Sequence, residues 1–98
     1  MAASLRKFRA PSAADWDTVY REGLPPWEMG MPSPALEEFL KRELFRKPSV
    51  LELGCGTGAD AVLLAQKKFD VTAIDFAPTA IERARTRAQR AGARLCLV

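Results

Sequence analysis

The chain has 98 residues, 48% of them hydrophobic and 28% charged, with a formal net charge of +3. Such a length allows one small domain, and such a composition is ordinary for a globular protein and excludes overall disorder. No apolar run approaches the ~20 residues of a membrane-spanning helix, so no membrane partner is expected.

Arg83, Arg85, Arg87 and Arg90 are spread along one predicted helix without interleaved aromatics. They read as a solvated helix face and not as a nucleic-acid surface. Two cysteines, Cys55 and Cys96, are too few for a disulfide framework, which points to a reducing, cytoplasmic setting.

Residues 1–14 carry Arg6, Lys7 and Arg9, several Ala and Ser, and no acid before Asp15. The pattern is faintly like an organelle transit peptide, but its brevity favours a flexible basic N-terminus, with the domain expected over 15–98. A short helical turn is expected at Asp15–Tyr20, then an ordered loop rich in Gly and Pro from Gly23 to Pro34. Ser33 before Pro34 predicts a helix start, the serine capping and the proline fitting the first turn. Leu36, Phe39, Leu40 and Leu44 then recur at helical spacing on one apolar face, and Pro48 stops the segment.

Val50–Leu53 reads as the first strand and Thr57–Lys68 as a helix, with Ala61, Leu64 and Ala65 inward and Lys67 and Lys68 suited to its C-terminal dipole. Phe69–Asp75 reads as the second strand. Pro78–Ala91 follows as a helix with Ile81, Ala84 and Ala88 inward and Gly92 as its stop. Leu95–Val98 begins a third strand, with Cys96 expected to be buried in it. This alternation predicts an α/β, Rossmann-like parallel sheet with right-handed crossovers, preceded by a helical N-terminal segment.

The chemistry concentrates in Val50-Leu51-Glu52-Leu53-Gly54-Cys55-Gly56-Thr57-Gly58. A strand running into alternating glycines and then a helix lets a ligand approach the backbone closely, and the helix start offers free N–H groups to a polar group. Asp75 follows the middle glycine by 75 − 56 = 19 residues and ends the second strand. An acid there accepts hydrogen bonds from a ribose diol, and the adjacent Phe76 is placed to lie against an adenine.

Gly54-Cys55-Gly56-Thr57-Gly58-Ala59 also satisfies a dinucleotide fingerprint of the form G-x-G-x-x-A. Glu52 argues against a dinucleotide. Two residues before the first glycine, its carboxylate repels a pyrophosphate and attracts an amino-acid ammonium. S-adenosylmethionine has that ammonium and no phosphate.

Leu51 to Gly58 closely resembles the first motif of the class I S-adenosylmethionine-dependent methyltransferases. Val71-Thr72-Ala73-Ile74-Asp75-Phe76-Ala77-Pro78, followed by Ala80-Ile81-Glu82-Arg83-Ala84-Arg85, is similar to the second. The resemblance implies that Glu52 faces the methionine end of the cofactor. It implies also that Gly54, Cys55 and Gly56 line the methionine and ribose, and that Asp75 holds the ribose hydroxyls. Ala77 departs from the family's frequent serine, which removes a helix cap worth about 1 kcal/mol.

Trp16-Asp17, Tyr20, Gly23, Pro26-Trp27-Glu28 and Gly30 are similar to the segment before the core in small-molecule methyltransferases of the thiopurine, thiol and halide, and tellurite-resistance kind. In those relatives it folds over the cofactor, so Trp16 and Trp27 are expected to shield the cationic sulfonium. The expected function is methyl transfer to a small-molecule acceptor. The alternatives are a non-catalytic truncated isoform or interaction module, and a nicotinamide-dependent oxidoreductase fragment.

The resemblance further implies that the family's sheet continues beyond the third strand. The chain then represents the cofactor-binding half, and Val50–Leu53 exposes an apolar edge open to self-association or to a partner. No catalytic base is assigned, since there is no histidine and both cysteines read as loop or core residues. In-line methyl displacement can run largely on positioning and desolvation. No metal ligands are expected.

Overall fold

The computed structural model describes residues 10–42 and 47–98. Helix α1, Ala13–Arg21, is opened by Ser12, whose hydroxyl accepts from Asp15 N while Asp15 reaches back to the Ser12 backbone, a reciprocal capping box. That box starts the helix at Ala13, inside the stretch expected to be flexible; residues 1–9 lie outside the described residues.

Helix α2, Pro34–Leu40, is shorter than the apolar spacing implied. Leu36 and Leu40 pack on the main core, whereas Phe39 faces solvent, and Leu44 lies outside the described residues. Ser33 does not cap α2 through its hydroxyl. Its backbone N–H instead donates to Asp60 Oδ1 at 2.6 Å, which turns Ser33 toward the core.

Strands β1 (Ser49–Leu53), β2 (Asp70–Ile74) and β3 (Cys96–Leu97) form a parallel sheet in the order β1-β2-β3, as the α/β reading requires. Helix α3, Ala59–Gln66, crosses from β1 to β2. It begins two residues later than its apolar pattern implied, because Gly58 sits at φ +82 and cannot continue a right-handed helix. It ends at a left-handed Lys68, after which Phe69 N donates to Leu64 O at 3.1 Å and the Phe69 ring is buried. Helix α4, Pro78–Ala91, has the limits its sequence implied and turns off at Gly92.

The two faces of the sheet differ sharply. Val71 and Ala73 point into the core with Ala61, Leu64, Ala65 and Ile81 from α3 and α4. Leu51 and Leu53, which pair in register with Thr72 and Ile74 and so face the other side, are 63% and 70% exposed. Cys96 lies on this open face and is exposed, which corrects the expectation that it is buried: no helix among the described residues covers its side of the sheet.

The N-terminal segment is strapped to this core by polar contacts. Asp17 Oδ1 accepts from Thr79 N at 2.6 Å, at the first turn of α4, and Asp17 Oδ2 lies 2.8 Å from Arg21 Nε. The missing serine cap at Ala77 is thus replaced in part by a carboxylate from a distant helix, and the Thr79 N–H holds the Asp17 carboxyl below its ordinary range. Ala77 itself is fully buried beside Tyr20 and Ala80.

Arg83 donates to Gly23 O at 2.9 Å. Arg87 donates through Nε to Thr57 O at 3.0 Å and through Nη1 to Gly30 O at 3.3 Å. The arginine row is therefore only partly a solvated face. Arg83 and Arg87, one helical turn apart, fasten segment 22–33 over the glycine loop, while Arg85 and Arg90 face solvent.

Candidate functional site

The site forms where β1 and β2 end. Cys55 N donates to Ile74 O at 2.9 Å, carrying the β1–β2 ladder past the strand, and Gly58 N closes the turn on Cys55 O at 3.0 Å. Gly56, at φ +56, has no room for a side chain. A Cβ there would lie 2.6 Å from Glu28 Oε2 and 2.9 Å from the Tyr20 hydroxyl. The close approach expected of a ligand at Gly56 is thus made by the N-terminal segment, and Gly54 is the glycine that faces open space.

Glu28 anchors that segment. Its Oε1 accepts from Thr57 Oγ1 at 2.7 Å, and its Oε2 from Thr57 N at 3.4 Å and, at 3.5 Å, from the Tyr20 hydroxyl. The same hydroxyl accepts from Trp27 Nε1 at 3.5 Å. Burial pushes the Tyr20 phenol above its ordinary value, so it remains a neutral donor.

Asp75 sits across the turn from Gly56. Its Oδ2 accepts from Gly56 N at 2.8 Å and its Oδ1 from Ala77 N at 2.9 Å, which fixes the carboxylate's orientation. Each oxygen retains capacity for a further donor, as a vicinal diol would supply. Phe76, next along, is 75% exposed, which excludes a core role for its ring. Trp16 and Trp27 meet edge to face with ring centroids 5.8 Å apart. Together with Leu53, Ile74, Phe76 and Asp75 they line a cleft of ≈ 820 Å³ at the carboxyl end of the strands.

A second pocket, of ≈ 220 Å³, lies on the other side of Gly54 and shares Gly54, Tyr20 and Trp27 with the cleft. Three acids line it: Glu28, Glu52 and Asp60. Asp60 is held by the Ser33 N–H and Glu28 by Thr57. Glu52 differs, because its Oε2 is buried without any hydrogen-bond partner. Burial, reinforced by the charges of Asp60 and Glu28, raises the Glu52 carboxyl from 4.5 to about 7. Among the described residues no group of His, Cys, Asp or Glu is arranged to hold a metal ion.

Cys55 is buried, and its Sγ donates to its neighbour's carbonyl, Gly56 O, at 3.6 Å. Burial above all pushes its thiol up to about 12, which makes it an inert wall of the pocket. A third depression, of ≈ 640 Å³, lies between Leu24, Thr57 and the arginines of α4.

The structure thus gathers Glu52, Gly54, Cys55 and Gly56 with Trp27 around the small pocket, and Trp16, Trp27, Asp75 and Phe76 around the cleft. As site residues, Tyr20 and Glu28 are marked in the sequence only by the motif before the core, and Asp60 is not marked at all. The one local sign of Asp60 is an acid in the first turn after a glycine loop, which also reads as a dipole contact.

A family profile described as a methyltransferase domain matches residues 50–98, half of the chain. A probable thiol methyltransferase 2 of Arabidopsis thaliana is 32% identical over 72 residues, 74% of this chain and 32% of the relative. A 2-heptyl-1-hydroxyquinolin-4(1H)-one methyltransferase of Mycobacteroides abscessus is 35% identical over 68 residues, 69% of this chain and 30% of the relative.

Among solved structures, one concerned with the conversion of a disulfide bond into a thioacetal group during echinomycin biosynthesis superposes with a TM-score of 0.78. It is 37% identical, with 88% of this chain and 39% of that one covered. A protein of Pyrococcus horikoshii gives a TM-score of 0.56 at 29% identity, over 63% of this chain and 27% of that one. The chain spans about a third of the length of the curated relatives it matches. With the profile matched over the glycine loop, β2 and α4, the chain belongs to the methyltransferase-domain family.

Proposed function

We propose that this chain carries the S-adenosylmethionine site of a methyltransferase acting on a small-molecule acceptor. The observation that carries the reading is the buried, unpartnered Oε2 of Glu52, in an acidic pocket that shares Gly54 with an aromatic cleft ending on Asp75. A carboxyl oxygen removed from water and given no donor is costly unless a ligand supplies one. An α-ammonium group is such a donor, and a diphosphate is not. The residues present therefore fit this cofactor better than a dinucleotide.

When bound, S-adenosylmethionine supplies a methyl group activated on a sulfonium sulfur. Glu52, with Glu28 and Asp60 beside it, attracts the ammonium and orients the amino-acid end. Asp75 accepts from the ribose hydroxyls, and Phe76 offers its face to the adenine. Trp16 and Trp27 line the cleft where a cationic centre gains from aromatic faces and from exclusion of water.

Cys55 takes no part as a nucleophile, since its thiol stays protonated at neutral pH. The acceptor class is proposed as a small nucleophile, by analogy with the thiol and hydroxyquinolone named for the two curated relatives. The exposed Leu51 and Leu53 support pairing of the β1 side with another chain. An exposed free Cys96 favours a reducing, cytoplasmic setting. Among the described residues no helix is long and apolar enough to cross a membrane.

Titration calorimetry of the chain with S-adenosylmethionine and with NAD tests the reading. Saturable binding of the first and none of the second is expected. Binding of NAD alone would overturn it in favour of an oxidoreductase fragment.

A further inference from the structure

Three carboxyl groups share one small pocket, and they are not equivalent. Glu28 is held by the Thr57 hydroxyl at 2.7 Å, and Asp60 by the Ser33 N–H at 2.6 Å. Each of these two carboxyls thus has a donor of its own. Glu52 has an oxygen with neither donor nor water access. When neighbouring acids repel one another, the proton settles on the group whose anion is least supported, and here that is Glu52.

Among the described residues no cation acts on Glu52 to oppose this. The charges that act on it are Asp60 from α3 and Glu28 from segment 22–33, both acidic. The Cys55 thiol beside it in the loop stays neutral, and so does the Tyr20 phenol across the pocket.

We propose that Glu52 is a neutral acid in the free pocket and releases its proton when an α-ammonium group enters, so that cofactor capture is proton-linked and reads the amino-acid end of the ligand. Glu52–COOH and R–NH3⁺ become a carboxylate–ammonium pair, and one proton passes to solvent. This rests on the pocket being the amino-acid end of the cofactor site. It adds a role that charge attraction alone does not contain, since a permanently ionised glutamate would bind the same group with no proton change.

The linkage also assigns specificity. S-adenosylmethionine and S-adenosylhomocysteine both carry the ammonium, whereas 5′-methylthioadenosine keeps the adenosine and lacks the amino acid. The first two are expected to expel the proton and the third is not. With the carboxyl titrating at about 7, release near neutral pH amounts to about half a proton per ligand bound, rising toward one at lower pH as long as binding persists.

The test is calorimetry of the three ligands near neutral pH in two buffers of low and high ionisation enthalpy, on the chain and on Glu52→Gln. The expected result is a buffer-dependent enthalpy for the two ammonium ligands on the unmodified chain only. A second measurement follows the side-chain carboxyl carbons of the free chain by NMR. One glutamate is expected to titrate near neutrality, to be absent from Glu52→Gln, and to move to lower pH on saturation with S-adenosylhomocysteine.

Binding with the same enthalpy in both buffers overturns the linkage and leaves the cofactor reading standing. Failure of all three ligands to bind overturns the cofactor reading and the linkage with it. A Glu52 carboxyl that titrates in the ordinary glutamate range in the free chain overturns the linkage without reference to any ligand.

Discussion

The acidic pocket and the aromatic cleft are adjacent, share Gly54, Tyr20 and Trp27, and are built in opposite ways. The pocket is small and holds three carboxyls, one of them unsatisfied. The cleft is nearly four times larger (≈ 820 against ≈ 220 Å³), and its one acid, Asp75, is satisfied by two backbone N–H groups before any ligand arrives. One end holds a buried carboxyl oxygen without a donor; the other holds a carboxylate already oriented by the backbone. A ligand with a cationic head and an aromatic nucleoside matches both at once.

The largest effect is expected at the preorganised end. Asp75→Ala should weaken S-adenosylmethionine, S-adenosylhomocysteine and 5′-methylthioadenosine alike, each by about tenfold or more, through loss of charge-assisted hydrogen bonds. Equilibrium binding reads this directly. A loss confined to the ligands with an amino acid would assign Asp75 to the wrong end.

The pocket end should appear in stability against pH. Between 4.5 and about 7 the folded chain keeps a proton on Glu52 that the unfolded chain has released. Stability therefore falls as pH rises through that window, and the full cost is present above it. Because Glu52 is only partly buried as a whole, the expected loss is about 1–2 kcal/mol, well short of the fully buried limit. Denaturant melts at several pH values would show this slope in the unmodified chain and its absence in Glu52→Gln. Equal slopes would remove Glu52 as the cause.

Trp27, shared by the two ends, gives a smaller and more selective effect. Trp27→Leu keeps an apolar wall but loses the aromatic face, and should cost S-adenosylmethionine about threefold while leaving the uncharged sulfur of S-adenosylhomocysteine nearly unaffected. Equal losses for both ligands would reduce Trp27 to a packing role. The smallest effect on binding is expected at Asp17, which touches the Thr79 N–H and Arg21 but neither pocket nor cleft. Asp17→Ala should lower the Tm, with Asn restoring part of it, and should leave ligand preference unchanged.

What the sequence disclosed follows the range of the interactions. Pro78–Ala91 was legible to the residue because its start, apolar face and glycine stop are all local. Glu52 and Asp75 could be singled out because each sits at a fixed offset from a strand end and a glycine loop, and the fold places one in the small pocket and the other in the cleft. Glu28, Tyr20 and Asp60 act across the fold: Glu28 reaches Thr57 over 29 residues and Asp60 reaches Ser33 over 27, and no periodicity marks such pairs.

Local patterns also misled where tertiary partners intervened. Ser33 gave its N–H to Asp60 and did not cap with its hydroxyl, and Gly56 made room for Glu28. Cys96 reads as a core residue by its strand context, yet which face of a strand is covered depends on helices that the strand does not specify.

The central claim is that one ligand spans both compartments in a single orientation, and a crystal structure of the chain with S-adenosylhomocysteine tests it most directly. The account predicts the ammonium on Glu52 and the ribose hydroxyls on Asp75. A ligand bound in the reverse sense, or seated in the arginine-lined depression beside α4, would contradict it.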